Sequence, residues 1–291
     1  MGHPPPIANQ ALLDEAVARK LGDFNAQNLA NTLWAMAKMG RPPTAELQAR
    51  LDEAVARKLG DFIAKGLANT LWAMATMDRP PSAELQARLY EAVARKLGDF
   101  KAQELANTLW AMARMDRPPS AELQARLDEA VALKLGDFIP QNLCNTLWAM
   151  ATMGRPPTAK LHARLELEIA RKLGDFKAHE LANTLWGMAK MGRPPTAELQ
   201  SRFELEMTRK LGDFNAQDLA NTLWSYAKMK RAPAAELLRS IDRELELKLG
   251  EFNAVEIQQV LSSYSALEHA PSSRVVALLQ ARVHDLAQGN D

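Results

Sequence analysis

The sequence predicts an all-α fold, a right-handed α-solenoid built from helix-turn-helix repeats of 38 residues. The first observation behind this prediction is a period: six tryptophans and seven phenylalanines each recur every 38 residues. The second is that each period contains two stretches with helical spacing of apolar residues, and no stretch alternates for long enough to form a strand. Because one helical hairpin cannot bury its own apolar faces, the repeats must stack on one another. The tryptophans are Trp34, Trp72, Trp110, Trp148, Trp186 and Trp224, and the phenylalanines are Phe24, Phe62, Phe100, Phe138, Phe176, Phe214 and Phe252.

Six near-identical repeats are flanked by atypical ends. The segment from Leu12 to Asp23 matches the second half of a repeat, and the last repeat diverges, with Ser262 in the tryptophan position. Terminal repeats of stacked arrays commonly differ in this way, because their outer faces have no neighbour. We therefore predict a half-repeat cap over residues 1–23, six repeats over residues 24–251 and a degenerate seventh repeat, acting as the C-terminal cap, over residues 252–291.

Each repeat is expected to contain two helices, A and B. In the first repeat, Asn25 should cap helix A, which covers roughly Ala26 to Met39 and stops before a Gly-Arg-Pro-Pro turn. Thr44 should cap helix B, and Gly60 is expected to end it in the left-handed conformation. The predicted buried stripes are Leu29, Leu33, Met36 and Ala37 on helix A, and Leu47, Leu51, Val55 and Leu59 on helix B.

The composition is that of an ordinary globular protein and excludes several classes of function. Hydrophobic residues make up 47% and charged residues 24% of the chain, so a disordered protein is not expected. The net charge of +1 excludes a strongly basic polymer-binding protein, although one basic face remains compatible with it. The single cysteine, Cys144, excludes a disulfide framework and is predicted to be a small packed residue. No histidine pair has metal-ligand spacing, so we expect no metal and no cofactor.

The sequence predicts neither a membrane span nor a targeting signal. No apolar run approaches the roughly 18 residues that a membrane span needs. The first residues, Met-Gly-His-Pro-Pro-Pro, contain no signal-peptide core, and no transit peptide is visible. We expect a soluble, intracellular protein, or a soluble piece of a longer one, with no membrane partner and no small-molecule substrate.

Positions that vary between otherwise identical repeats are candidates for recognition. With the phenylalanine counted as position 1, positions 2 and 5 lie three residues apart on one face at the start of helix A. Position 2 is the N-cap, where isoleucine or lysine loses about 1 kcal/mol relative to asparagine. Four of the seven repeats accept this loss, so we interpret the pair as ligand-contacting, with neutral drift as the alternative. The predicted recognition residues are Asn25, Asn28, Ile63, Gly66, Lys101, Glu104, Ile139, Asn142, Lys177, Glu180, Asn215 and Asp218.

A lysine row repeats just before the Leu-Gly-Asp-Phe turns, near the N-termini of the A helices. Helix N-termini are themselves favourable for anions, so we predict that this row contacts phosphate. The alternative is a solvated edge paired with neighbouring acids such as Asp61. The row consists of Lys20, Lys58, Lys96, Lys134, Lys172, Lys210 and Lys248.

Two invariant rows are interpreted as structural. The asparagines at position 8 are expected to form a hydrogen-bonded ladder between repeats, although they border the predicted recognition face. The tryptophans at position 11 are expected to pack between neighbouring repeats, with a ligand-stacking ladder as the alternative. On this interpretation the recognition face lacks an aromatic side chain on which a flat ligand could stack.

The first repeat reads Phe-Asn-Ala-Gln-Asn-Leu-Ala-Asn-Thr-Leu-Trp-Ala-Met-Ala-Lys-Met, followed by Gly-Arg-Pro-Pro. This core and its 38-residue period resemble the octotricopeptide repeat over Leu12 to about Gln288, while the proline segment matches only loosely. The resemblance implies an α-solenoid related to pentatricopeptide proteins, located in chloroplasts or mitochondria. It also implies binding of single-stranded RNA, about one base per repeat, and control of the stability, processing or translation of transcripts. Positions 2 and 5 would then bind bases, and the lysine row would bind the RNA phosphates.

A protein-binding scaffold of the tetratricopeptide type is the alternative function, with protein partners in place of RNA. The near-zero net charge suits it. A positive inner surface would favour RNA, whereas an acidic or apolar groove would favour a peptide. No acid pair, activated nucleophile or glycine-rich phosphate loop lies outside the repeat pattern, so no enzyme is expected.

Overall fold

The computed structural model describes residues 7–267 and 273–288, and within these ranges it contains α-helices, short 3-10 turns and no strand. The all-α prediction is therefore confirmed. The chain divides into two compact units, Met1–Phe138 and Ile139–Asp291. The first unit holds α1 (Ile7–Lys20), α2 (Ala26–Lys38), α3 (Ala45–Lys58), α4 (Ala64–Thr76), α5 (Ala83–Lys96), α6 (Ala102–Arg114) and α7 (Ala121–Lys134). The second holds α8 (Pro140–Thr152), α9 (Ala159–Lys172), α10 (Ala178–Lys190), α11 (Ala197–Lys210), α12 (Ala216–Met229), α13 (Ala235–Leu247), α14 (Ala254–Ala266) and α15 (Ser273–Gln288).

The two predicted helices alternate along the chain as two layers. Even-numbered helices α2 to α14 are the A helices, and odd-numbered helices α1 to α15 are the B helices. Within each unit, neighbouring A helices contact one another along their length, whereas neighbouring B helices make far fewer contacts. Hairpins packed in series in this way form the predicted solenoid. Residues 1–6, 268–272 and 289–291 of the two predicted caps lie outside the described residues.

The core follows the apolar stripes that the sequence predicts. All eight predicted stripe residues of the first hairpin are buried. The repeated phenylalanine from Phe62 onward is also buried, with 1% exposure or less at each occurrence. The predicted caps form as well, because the Asn25 side chain accepts the Asn28 N–H at 2.8 Å and the Thr44 hydroxyl accepts the Leu47 N–H at 3.3 Å. Local capping and helical periodicity therefore fix the hairpin.

Helix A, and not helix B, ends in the left-handed conformation. Gly40 has φ +63°, and the equivalent Asp78 and Asp116 adopt +54° and +53°. Around Gly40, the Arg41 N–H donates to the Met36 carbonyl at 3.0 Å, which closes a Schellman motif. The prediction for Gly60 was wrong, because helix B passes into a 3-10 turn, Leu59–Asp61, in which no residue has a positive φ. Such a turn satisfies terminal carbonyls by tighter hydrogen bonds and needs no left-handed residue.

Arginines on the B helices join successive repeats. In the first unit, the Arg88 Nη2 atom donates to the Ala56 carbonyl at 2.8 Å, and Arg126 donates to Ala94 at 2.7 Å. Each acceptor lies 32 residues earlier, in the last turn of the preceding B helix. Carbonyls in that turn have no partner inside their own helix, and a cation near a helix C-terminus is favourable. The arginines therefore stabilise the otherwise sparsely contacting B layer.

We predict that Arg88→Ala destabilises the protein by about 1 kcal/mol, the net value of one such hydrogen bond. Arg95→Ala is the matched control on the same helix. The Arg95 guanidinium is 3.7 Å from Glu91 in an exposed pair, and its loss should change stability by roughly 0–0.5 kcal/mol. Urea unfolding followed by circular dichroism measures both variants. Equal shifts in the two midpoints would contradict a special role for Arg88.

Candidate functional site

Position 2 lies exposed at the N-terminal edge of the A helices in every repeat. Ile63 and Ile139 are 67% and 55% exposed, which is unusual for large apolar side chains. The asparagines at this position cap their helices, whereas Ile63, Ile139 and the lysines provide no side-chain cap. The exposure that base contact requires is present, and base contact at position 2 stays a prediction.

The side chain at position 5 caps the start of the same helix by accepting the backbone N–H of position 2. The Glu104 Oε2 atom accepts the backbone N–H of Lys101 at 2.9 Å, and Asn142 accepts that of Ile139 at 3.2 Å. The same bond is made by Asn28, Glu180 and Asp218 to the N–H groups of Asn25, Lys177 and Asn215. Asn, Asp and Glu can all accept this bond, so capping alone accounts for much of the variation at position 5.

Burial separates the two predicted recognition positions in repeats four to six, whereas at position 5 of the earlier repeats Asn28 is exposed and Glu104 is half-buried. Asn142, Glu180 and Asp218 are each 4% exposed, and burial raises the pKa of Asp218 although the bond from Asn215 opposes the rise. Side chains this enclosed have little surface left for a ligand. The base-contacting role of position 5 remains a prediction, but the structure supports a packing and capping role for it. Gly66 is the exception, because it has no side chain with which to cap Ile63.

The lysine row divides into two classes. The Lys210 Nζ atom donates to the carbonyls of Gly174 and Phe176 at 2.6 and 2.7 Å, and Lys248 donates to those of Gly212 and Phe214. These acceptors belong to the Leu-Gly-Asp-Phe turn of the preceding repeat. Each ammonium also pairs with a glutamate one turn earlier, and Lys172 does so with Glu168 at 2.6 Å. These three lysines are held by protein groups.

The other lysines of the row are free of such bonds. Among the described residues, Lys58, Lys96 and Lys134 make no hydrogen bond or ion pair, and Lys20 makes only an exposed pair with Asp23 at 3.9 Å. The reason is in the sequence: the residue four before Lys172, Lys210 and Lys248 is glutamate, whereas before these four lysines it is alanine. The phosphate role of the row stays a prediction, and it fits best the lysines of the first unit.

A second surface runs along the exposed side of the A helices, and it includes the asparagine and tryptophan rows that the sequence analysis interpreted as structural. Positions 4, 8, 11 and 15 of the six complete repeats lie on one helical face, are exposed or half-buried, and form what we term the A-helix stripe. Five of its side chains are basic and none is acidic, although the whole chain carries only +1. The stripe consists of Gln27, Asn31, Trp34 and Lys38; Lys65, Asn69, Trp72 and Thr76; Gln103, Asn107, Trp110 and Arg114; Gln141, Asn145, Trp148 and Thr152; His179, Asn183, Trp186 and Lys190; and Gln217, Asn221, Trp224 and Lys228.

The asparagines at position 8 do not form the expected ladder. Within the described part of the chain, Asn221 makes the only side-chain hydrogen bond of this row, accepting from Gln259 at 3.2 Å. The ladder prediction was wrong for the asparagines, because no two of them bond to each other; the one bond of this kind in the described residues joins Asn221 to Gln259, which occupies position 8 of the seventh repeat. Asn31 is exposed and the other asparagines of the row are half-buried. Five repeats therefore present an amide with both donors and acceptors unused by the protein.

The tryptophans pack between neighbouring repeats and also form part of the exposed surface. The Trp186 and Trp224 rings lie 6.0 Å apart between centroids, which confirms contact between neighbouring repeats. Trp34 is nevertheless 42% exposed and the other five are half-buried. The expectation that the recognition face lacks aromatic side chains was therefore wrong, because each tryptophan lies one turn after the asparagine on the same face.

Cations lie over this tryptophan surface. The Lys38 Nζ atom is 5.7 Å from the centroid of the Trp34 ring and 5.1 Å from that of Trp72. Lys190 lies 5.0 Å above the Trp186 ring in the same way. These are cation–π distances, and the arrangement holds exposed positive charge close to exposed ring faces. The stripe thus combines amides, aromatic rings and cations in every repeat unit that has a basic residue at position 15.

Other classes of site find little support in the described residues. Cys144 is buried, and burial followed by the charge of Glu180 raises the pKa of its thiol to about 12. The packed role predicted for Cys144 is therefore the one it has. In the described ranges, no three His, Cys, Asp or Glu side chains come together as metal ligands. No described helix combines the length and apolarity of a membrane span.

Comparison with known proteins gives one family. No curated protein matches the chain. The family described as Tbc2 translation factor, N-terminal domain, matches it three times, over residues 6–84, 81–159 and 157–285. These three segments together span nearly the whole sequence, in agreement with its internal repetition. The chain therefore belongs to the family of the Tbc2 translation factor N-terminal domain.

Proposed function

We propose that this protein binds single-stranded RNA along the A-helix stripe of each unit and acts in the translation, processing or stability of transcripts. The observation that carries the proposal is the stripe itself. An asparagine and a half-exposed tryptophan recur in all six repeats, five of the six asparagine amides have no protein partner among the described residues, and five of the six repeats add a basic side chain and none an acidic one. The family name supports a role in translation. The finer resemblance to octotricopeptide repeats supports RNA as the ligand and a chloroplast or mitochondrion as the compartment.

The chemistry of the stripe suits bases and phosphates at the same time. An asparagine amide can donate and accept at once, which is what recognition of a base edge requires. Tryptophan faces offer stacking to any base. Lys38, Arg114, Lys190 and Lys228, at the far end of the stripe, can approach phosphates, as can the unpaired lysines near the helix N-termini. One asparagine and one tryptophan per repeat fit a register of about one base per repeat.

A peptide-binding scaffold is the weaker candidate. The near-neutral net charge favours it only if charge is spread evenly, and the stripe concentrates basic residues on one surface. The stripe carries five basic side chains and no acidic one, which supports RNA over a peptide as its ligand. Protein partners can still dock elsewhere on the chain, for example through the exposed leucines of the B helices such as Leu133 and Leu167.

We predict that Asn145→Ala weakens RNA binding by ~1–3 kcal/mol and leaves stability nearly unchanged, because its amide has no protein partner. Asn142→Ala is the matched control, one turn earlier on α8. It removes the acceptor for the Ile139 N–H, so it should lower stability by about 1 kcal/mol with little effect on binding. The measurements are thermal unfolding and affinity for an RNA selected from a random pool.

The opposite pattern would support the sequence-based assignment. If Asn142→Ala changes which base is preferred while Asn145→Ala has no effect, position 5 contacts RNA and position 8 does not.

We predict that Lys134→Ala flattens the slope of log affinity against log salt by about 0.7, the value for one phosphate contact on a single strand. Lys210→Ala should leave the slope unchanged and lower stability, because its ammonium is already bound to two carbonyls. If only the four lysines of the row that make no bond to a neighbouring turn contact phosphate, the row contributes about −3 to the slope. All seven lysines would contribute about −5. Titrations at several salt concentrations measure both variants. Equal flattening by both would show that the protein contacts of Lys210 do not withhold it from RNA.

We also expect binding without cleavage. Labelled RNA incubated with the protein, with and without magnesium, should stay full length, since no group in the stripe is arranged as a nucleophile with its base. Cleavage that disappears on substitution of a residue of this chain would contradict the proposal.

A further inference from the structure

A pocket of about 390 Å³ lies between helices α2 and α4 at their N-terminal ends. Its walls include Gln27, Asn31 and Asn69, which belong to the A-helix stripe, so the pocket opens onto the surface proposed to bind RNA. Ala30 and Phe62 line its base, and Ile63 forms an exposed apolar edge. Its volume lies in the range of small-molecule sites.

The pocket exists beside the one glycine at position 5. Asn142, Glu180 and Asp218 fill the same position in other repeats and are almost completely buried there. A Cβ atom on Gly66 would lie 3.2 Å from the Phe62 ring and 3.8 Å from the Ala30 Cβ atom, so a side chain here would enter the space between the two helices. Gly66 does not have a positive φ, so backbone conformation does not require a glycine.

The glycine removes interactions that the other repeats keep. A glycine inside a helix is unfavourable compared with alanine, and Gly66 also cannot cap the Ile63 N–H. The isoleucine in turn cannot cap the helix, so α4 begins with neither half of the capping interaction. Among the described residues, the backbone N–H of Ile63 has no hydrogen-bond acceptor. Repeat two thus has the least stabilised A-helix start and an unused donor at the rim of the pocket.

We propose that this pocket accepts one unstacked nucleobase of the bound RNA. The inference rests on the proposed function and deepens it. Ile63 and Phe62 supply apolar contact to the flat base, and the Asn31 and Asn69 amides together with the Ile63 N–H can bond its edge. Lys65, also at the pocket, places a positive charge where the phosphate of an inserted nucleotide would lie. Repeat two therefore binds its base by insertion, whereas the other repeats bind theirs on the surface.

Gly66→Asn tests this directly, because it gives repeat two the Ile–Asn pair already present in repeat four as Ile139 and Asn142. The new side chain should fill the pocket and cap the Ile63 N–H. The probe is an RNA selected from a random pool against the unchanged protein, in which each nucleotide is replaced in turn by an abasic one. In the unchanged protein, one abasic position should weaken binding roughly tenfold through loss of the inserted base.

In Gly66→Asn, affinity for the intact RNA should fall roughly tenfold, and the abasic nucleotide at that position should cause no further loss. The melting temperature should rise by about 2 °C, because a helix cap is restored. Thr44→Ala is the control, since the Thr44 hydroxyl caps helix α3 by accepting the Leu47 N–H and Thr44 belongs to no predicted binding position; it should lower the melting temperature without changing the abasic profile.

Two outcomes distinguish failure of the pocket inference from failure of the proposed function. If Gly66→Asn is more stable and its affinity and abasic profile match those of the unchanged protein, the pocket inference is overturned while RNA binding stands. If the unchanged protein binds no RNA from the pool, the proposed function falls and the pocket inference with it.

Discussion

Close packing between A helices is the constraint on which the rest of the structure depends. Position 7 is alanine in five of the six complete repeats and cysteine in the other, and these side chains are buried against the next A helix. In the second unit the approach is so close that a Cβ atom on Gly187 would lie 3.2 Å from the Leu147 carbonyl group. Such packing tolerates little change in volume. The inner positions are therefore fixed, and only the outward stripe and the helix starts can vary without disturbing the array.

Much of the fold could be predicted because it depends on local rules. The period, the apolar stripes and the caps at Asn25 and Thr44 follow from spacing and capping chemistry within one repeat, and the structure has them. Predictions failed where contacts depend on how one repeat meets the next. The asparagine ladder and the burial of the tryptophans both required knowing how far adjacent A helices are rotated, and no pattern inside one repeat gives that rotation.

The candidate site shows the same division. Exposure of position 2 follows from its place before the helix, but the capping role of position 5 could also have been read from the sequence, since Glu, Asp or Asn three residues after an N-cap is a known signal. The split of the lysine row had a signal too, the glutamate four residues before Lys172 and Lys210. What no local pattern could give is the empty space beside Gly66, because a cavity depends on both helices that enclose it.

The lysines bound to neighbouring turns have a consequence for cooperativity. A repeat array unfolds as a row of coupled elements, and the strength of each junction decides how many elements open together. Lys210 and Lys248 reinforce junctions within the second unit, while Lys58, Lys96 and Lys134 in the described part of the first unit make no such bond to the neighbouring turn. Amide hydrogens of the second unit should then exchange as a block, and those of the first unit repeat by repeat. A ligand bound along the first unit would contact several of its repeats at once. Binding would then couple the unfolding of those repeats, as the lysine bonds do in the second unit.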